Sequence, residues 1–124
     1  MDEALDDFYK NNNLKVIVVG IDNGGSERTN ELTPWENATY GDGQGDLYTD
    51  FIVETLKPYI DQNYRTLNDA SNTTIGGSSF GVLISFYGAL RNPEVFGNAI
   101  VFSPSFWFSD KCYDFTNEKA LNKN

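Results

Sequence analysis

The stretch Thr73-Thr74-Ile75-Gly76-Gly77-Ser78-Ser79-Phe80-Gly81-Val82-Leu83-Ile84-Ser85-Phe86-Tyr87-Gly88-Ala89-Leu90 decides how this chain of 124 residues is read. Thr73-Thr74-Ile75 has the β-branched character of a short strand, and Leu83, Phe86, Tyr87 and Leu90 recur at the spacing of one helix face. Between them lies Gly77-Ser78-Ser79-Phe80-Gly81, a G-x-S-x-G. In that pattern the outer glycines let strand and helix approach closely, while the central serine takes a strained turn and exposes its hydroxyl. The order strand, sharp turn, helix makes Ser79 the candidate nucleophile and the Phe80 backbone N–H one candidate oxyanion donor. The same turn, read as a helix N-terminus with exposed amides, would suit a phosphate. No G-K-[ST] follows the glycines, however, and the charge of the chain disfavours a polyanion.

Outward from this unit, Asn92-Pro93 ends the helix, and Ala99-Ile100-Val101-Phe102 is expected to be a buried strand stopped by Ser103-Pro104. Upstream, Val16-Ile17-Val18-Val19 is a continuous β-branched run ending at Gly20, the pattern of a strand covered on both faces in a parallel sheet. Asp2 to Asn12 reads as a helix with early acidic residues, halted by Asn11-Asn12-Asn13. Ile21 to Gly45 is polar and far longer than an ordinary strand-to-helix connection, which marks it as a functional or covering loop. Asp46 then stands as the cap of a helix carrying Leu47, Phe51, Ile52, Leu56, Tyr59 and Ile60 to about Asn63, with Pro58 expected to perturb its last turns. Asp42-Gly43-Gln44-Gly45-Asp46 with Asp50 resembles a calcium loop only superficially, because the sixth position is Leu47 and the twelfth Val53 where an EF-hand needs Gly and Glu. Asp110 to Asn124 is polar and is expected to be a partly disordered tail with at most one helical turn near Ala120. Phe102, Phe106, Trp107 and Phe108 form an aromatic set. Trp107 lies just past a strand's carboxyl end, so core and cleft both remain open for it.

Composition narrows the function classes. Hydrophobic residues make up 40% and aromatic residues 15% of the chain, enough for the core of one domain. Nine Lys and Arg against eighteen Asp and Glu leave a net charge of −9, which argues against nucleic acid and anionic membranes as partners. The single cysteine, Cys112, excludes an internal disulfide, and the absence of any His excludes a Cys/His zinc site and imidazole chemistry from this chain. No metal or cofactor is expected. Asn37-Ala38-Thr39 and Asn72-Thr73-Thr74 match glycosylation acceptors, as an Asn-rich sequence does by chance. Met1-Asp2-Glu3-Ala4 lacks the basic start of a secretory signal, and no run approaches a membrane span, so a soluble chain, cytoplasmic by default, is expected.

Taken together, these residues resemble the esterase family of α/β hydrolases that contains enterochelin esterases, feruloyl-type esterases and S-formylglutathione hydrolases. Four segments carry the likeness. They are Val16 to Asp22 with Arg28 and Glu31-Leu32, Asp50 to Ile60, Ile75 to Gly81, and Pro93 to Gly97 leading to Ser103-Pro104-Ser105-Phe106-Trp107. The resemblance implies a serine ester hydrolase acting on a small-molecule ester. Ser79 would be the nucleophile, the Phe80 N–H half of the oxyanion hole, and Asp22, Arg28 and Trp107 the substrate-binding residues. It implies a truncated α/β-hydrolase-like three-layer sandwich with a mainly parallel sheet of about three strands. Residues 1–109 would form a partial hydrolase domain and 110–124 the polar tail.

Family members carry the second oxyanion donor and the triad acid and histidine outside the stretch present here, so the chain is expected to be a middle segment with impaired hydrolysis. Asp110 or Asp114 is the available substitute base, a weak one at carboxylate pKa. The strand that would lie between the Lys15–Gly20 and Thr73–Gly77 runs is also missing, which predicts a rearranged sheet, a homo-oligomer or a strand-swapped partner. The alternative function is a non-catalytic or split hydrolase fragment that binds a ligand or completes its site with another chain. Arg28 points to an anionic or polar substrate, with an exposed, ion-paired arginine as the plainer account.

Overall fold

The structure is a computed structural model describing residues 2–41 and 43–122. Its centre is a parallel pair of strands joined by a helix: β1 (Thr74–Ser79), α5 (Phe80–Arg91) and β2 (Asn98–Pro104). Before them come α1 (Asp2–Asn11), α2 (Arg28–Leu32), α3 (Gly45–Phe51) and α4 (Lys57–Asn63), and after them α6 (Lys111–Leu121). The register runs from Thr74 opposite Asn98 to Ser78 opposite Phe102, then skips Ser103 so that Ser79 faces Pro104. Ser103 takes the left-handed φ of 51° at this irregularity, as the extra residue of a bulge does.

Helix α5 packs on both strands and carries the core. Val82, Leu83, Ile84, Ser85 and Gly88 of α5 are buried, and Leu83 forms a closed cluster with Phe108 and Cys112, against which Trp35, Phe80 and Phe106 rest. Three buried hydroxyls sit among these apolar groups without cost, because each donates to a carbonyl one turn back in its own chain segment. They are Thr33 to Thr29 at 2.6 Å, Thr49 to Gly45 at 2.7 Å and Ser85 to Gly81 at 2.6 Å. The Arg91 guanidinium closes the far end of α5 onto α3, 2.9 Å from the Asp50 carboxylate and 3.1 Å from the Asp46 carbonyl.

The expected helix from Asp46 to Asn63 is present, interrupted at Ile52–Leu56 by a π-helical turn just before Pro58. A proline lacks the N–H that would bond to the carbonyl four residues back, and a widened turn absorbs the loss. Asp46 lies inside the first turn, and Gln44 occupies the cap position without a side-chain bond, so Asp46 supplies charge to the helix N-terminus and is not its cap. Asp42 of the candidate calcium loop lies outside the described residues.

Three further expectations are corrected. The sheet has two strands, because Val16–Gly20 pairs with neither of them and forms no regular element, with Val16, Ile17, Val18 and Val19 between 42% and 50% exposed. A strand is held by a neighbour's backbone groups, and neither β1 nor β2 supplies them to this run. The same lack of cover leaves Ile100, Val101 and Phe102 of β2 exposed, although their sequence reads as a buried strand. At the other end, the expected loose tail is helix α6, with Cys112 buried and Phe115 packed on Trp35 and Tyr87. No helix among the described residues is long and apolar enough to cross a membrane.

Candidate functional site

The turn from β1 into α5 has the geometry its sequence demands. Ser79 has φ 59° and ψ −119°, a conformation that L-residues rarely adopt and that the flanking strand and helix impose. The close packing behind it rests on Gly77: a Cβ there would meet the carbonyl carbon and oxygen of Gly81 at 2.6 Å, whereas a Cβ on Gly81 meets nothing within 4 Å. Of the two outer glycines, only the first is required by strand-helix contact.

Ser79 occupies the N-cap position of α5, where a serine hydroxyl ordinarily bonds to an amide of the first turn, yet its side chain makes no cap bond. The positive φ turns it away, and its Oγ lies 3.2 Å from Ser105 Oγ. The N–H of Phe80, the first residue of the helix, has no intrahelical acceptor, as at any helix start, and stands one residue from that Oγ. An exposed hydroxyl beside an unclaimed amide at a helix N-terminus is the minimal equipment for attacking a carbonyl and holding the negative charge that forms on its oxygen.

Phe80 joins two of the expected substrate-binding residues. The Arg28 guanidinium lies over its ring at 5.5 Å from the centroid, and the Trp107 ring lies at 6.1 Å. Arg28 is half-buried and, among the described residues, has no carboxylate partner. Trp107 is 67% exposed, which settles it as a surface residue beside the elbow and not a core residue. Tyr40 extends the aromatic wall, with its ring 6.2 Å from Trp107. Its loop is fixed by the Asn37 side-chain amide donating to the Phe108 carbonyl at 2.7 Å.

Asp22 is placed elsewhere, in a shallow groove with Ile21, Glu31, Gln44, Leu47, Tyr48 and Phe51, whose lining includes none of Ser79, Phe80 and Trp107. Burial, and then the Glu31 charge, push the Tyr48 hydroxyl pKa up in that groove. Asp110 and Asp114 are exposed, and neither hydrogen-bonds Ser79. Neither Ser105 nor Tyr40 is marked as a site residue by a sequence motif. Ser105 was discernible in principle, because the carboxyl ends of parallel strands lie side by side and the residue just past β2 falls next to the elbow that ends β1.

Comparison with known proteins defines the class. A fold of this arrangement with a serine elbow is that of an α/β hydrolase, and the family model described as "Putative esterase" matches residues 1–123. The chain belongs to that family. It is 32% identical over 109 residues to the iron(III) salmochelin esterase of Escherichia coli, covering 86% of this chain and 24% of that protein. It is 29% identical over 86 residues to the siderophore triacetylfusarinine C esterase of Aspergillus fumigatus, covering 68% of this chain and 29% of that protein. The crystal structure of the BES protein from Bacillus cereus superposes with a TM-score of 0.69 at 26% identity, over 81% of this chain and 38% of that one. The chain spans less than half the length of the curated relatives it matches.

Proposed function

We propose that this chain carries the nucleophile half of a serine ester hydrolase site. Ser79 Oγ forms a bond to the carbonyl carbon of a carboxylic ester, the carbonyl oxygen takes up the negative charge against the Phe80 N–H, and the alcohol leaves with a proton to give an acyl-Ser79 that water then hydrolyses. Arg28, Phe80 and Trp107 hold the acyl or alcohol part, with Arg28 favouring an anionic or polar one. The observation that carries this reading is the strained N-cap serine whose hydroxyl caps nothing.

The chain contains no histidine, so the proton of Ser79 passes to a base other than an imidazole of this chain. Groups missing from a triad leave mainly binding and oxyanion catalysis, and turnover by the isolated chain is therefore expected to be lower by several orders of magnitude than with a complete triad. The same absence favours a second reading, a non-catalytic or split hydrolase that binds a ligand in this cleft or completes its site with a partner chain.

Hydrolysis of a short p-nitrophenyl ester, with Ser79→Ala made alongside, separates the two. Loss of turnover in Ser79→Ala and a fluorophosphonate adduct on Ser79 support the hydrolase. Equal rates for the two proteins sink it and leave the binding fragment.

A further inference from the structure

Ser105 has a relation to Ser79 that the hydrolase reading does not by itself require. Its residue is 6% exposed, and its Oγ lies 3.2 Å from that of Ser79. It also stands at an N-cap, that of the Phe106–Phe108 3₁₀ turn, and like Ser79 it makes no side-chain cap bond. Its carbonyl closes the turn by accepting from the Phe108 N–H at 3.0 Å, which leaves the hydroxyl uncommitted locally. The path that brings it there is a forced one: the register skips Ser103 at φ 51°, pairs Ser79 with Pro104, and sets Ser105 immediately beyond. Two serines at the carboxyl ends of adjacent parallel strands thus give up their local bonds and face each other.

While both hydroxyls keep their protons, either can donate. Once Ser79 Oγ loses its proton it can only accept, and Ser105, held in place and largely shielded from water, is the donor already aimed at it. A hydrogen bond to a charged oxygen is about twice as strong as one between neutral groups. We infer that Ser105 is a positioning residue that fixes the orientation of the Ser79 side chain and stabilises its deprotonated form through a hydrogen bond. This role rests on the proposed nucleophile, but its test does not depend on turnover.

The test replaces the nucleophile by a thiol. In Ser79→Cys, the pH dependence of iodoacetamide alkylation is followed by mass spectrometry on the tryptic peptide 66–91, which separates position 79 from Cys112. The midpoint is expected to rise by about one pH unit when Ser105→Ala is added, so that alkylation near neutral pH slows about tenfold, because a donor to the thiolate has been removed. Adding Ser105→Thr, which keeps the hydroxyl, is expected to leave the midpoint where Ser79→Cys alone has it. Circular dichroism melts establish that each variant is folded, and Ser105→Gly, which also lacks the hydroxyl and is held to the same expected rise, replaces Ser105→Ala should the latter fail to fold. An unchanged midpoint in Ser105→Ala, or a Ser105→Thr midpoint raised like that expected for Ser105→Ala, overturns the inference. Failure of the wild-type chain to hydrolyse esters overturns the hydrolase reading alone.

Discussion

Gly77 lies so close to Gly81 that a side chain on the first would press 2.6 Å from the carbonyl of the second, while a side chain on the second would point into open space. The asymmetry predicts opposite effects of the same substitution. Gly77→Ala drives a Cβ into backbone that cannot yield without moving the helix, and is expected to cost about 2–3 kcal/mol. Gly81→Ala removes the entropic penalty of a glycine in the first turn of α5 and is expected to change stability by no more than about 1 kcal/mol, in the stabilising direction. Urea unfolding of the two variants measures both. Equal destabilisation would mean that strand and helix are not in the close contact described.

Strain at the elbow is open to a similar comparison. Ser79→Ala and Ser79→Gly both remove the hydroxyl and differ only in whether a Cβ is held at φ 59° and ψ −119°. Such a conformation costs an L-residue about 1–3 kcal/mol, offset for glycine by about 0.5–1 kcal/mol of extra chain entropy in the unfolded state. Ser79→Gly is therefore expected to be the more stable of the pair by about 1 kcal/mol. An alanine variant as stable as the glycine one would show that the turn relaxes once the serine is gone.

What was legible in the sequence was what short-range patterning governs. The elbow could be read because a serine between closely spaced glycines marks a sharp turn from strand to helix, and the helix ending near Asn63 could be read because its apolar residues recur at helical spacing, although Leu47, Phe51 and Tyr59 stay exposed. The Val16–Val19 run could not be placed, because β-branched residues state a preference for extended backbone and nothing about which neighbour supplies the hydrogen bonds. Helix α6 was missed for the opposite reason. Its apolar signal is little more than Cys112 and Phe115, and what holds it is contact with Trp35 and Tyr87, residues remote in sequence. The site was legible at Ser79 and Phe80, which one motif contains. Arg28 and Trp107 came through family likeness, and their meeting on the Phe80 ring required the fold.

The Arg28 guanidinium over Phe80 bears on substrate charge. Against an activated ester carrying a carboxylate, such as p-nitrophenyl hemisuccinate, Arg28→Ala is expected to raise KM about tenfold through loss of a charge-assisted contact. Against neutral p-nitrophenyl butyrate the change is expected to stay within about twofold. Arg28→Lys should fall between, since an ammonium keeps the charge without the planar fork. Parallel KM increases for both esters would mean that Arg28 supports the shape of the wall and does not read charge.

Cys112 gives a pH signature to the packing of α6. Burial first, and then the negative charge of Asp110, raise its thiol pKa above the usual value. A group whose pKa is higher folded than unfolded binds more protons in the folded state, so its contribution to stability is complete below the unfolded pKa of about 8.5 and is lost as pH climbs through the folded value. The free energy of unfolding is therefore expected to decline above about pH 8.5 in the wild-type chain and to decline less steeply in Cys112→Ala, once the latter's cavity cost is subtracted at pH 7. Tyr48 and Tyr87, whose pKa values burial also raises, start from 10.0 and add their own decline at higher pH, which leaves the interval just above 8.5 to the thiol. Urea unfolding at half-unit steps from pH 7 to 10 measures the difference. Parallel curves for the two proteins would mean that Cys112 titrates alike in both states, and that α6 does not seal it from water.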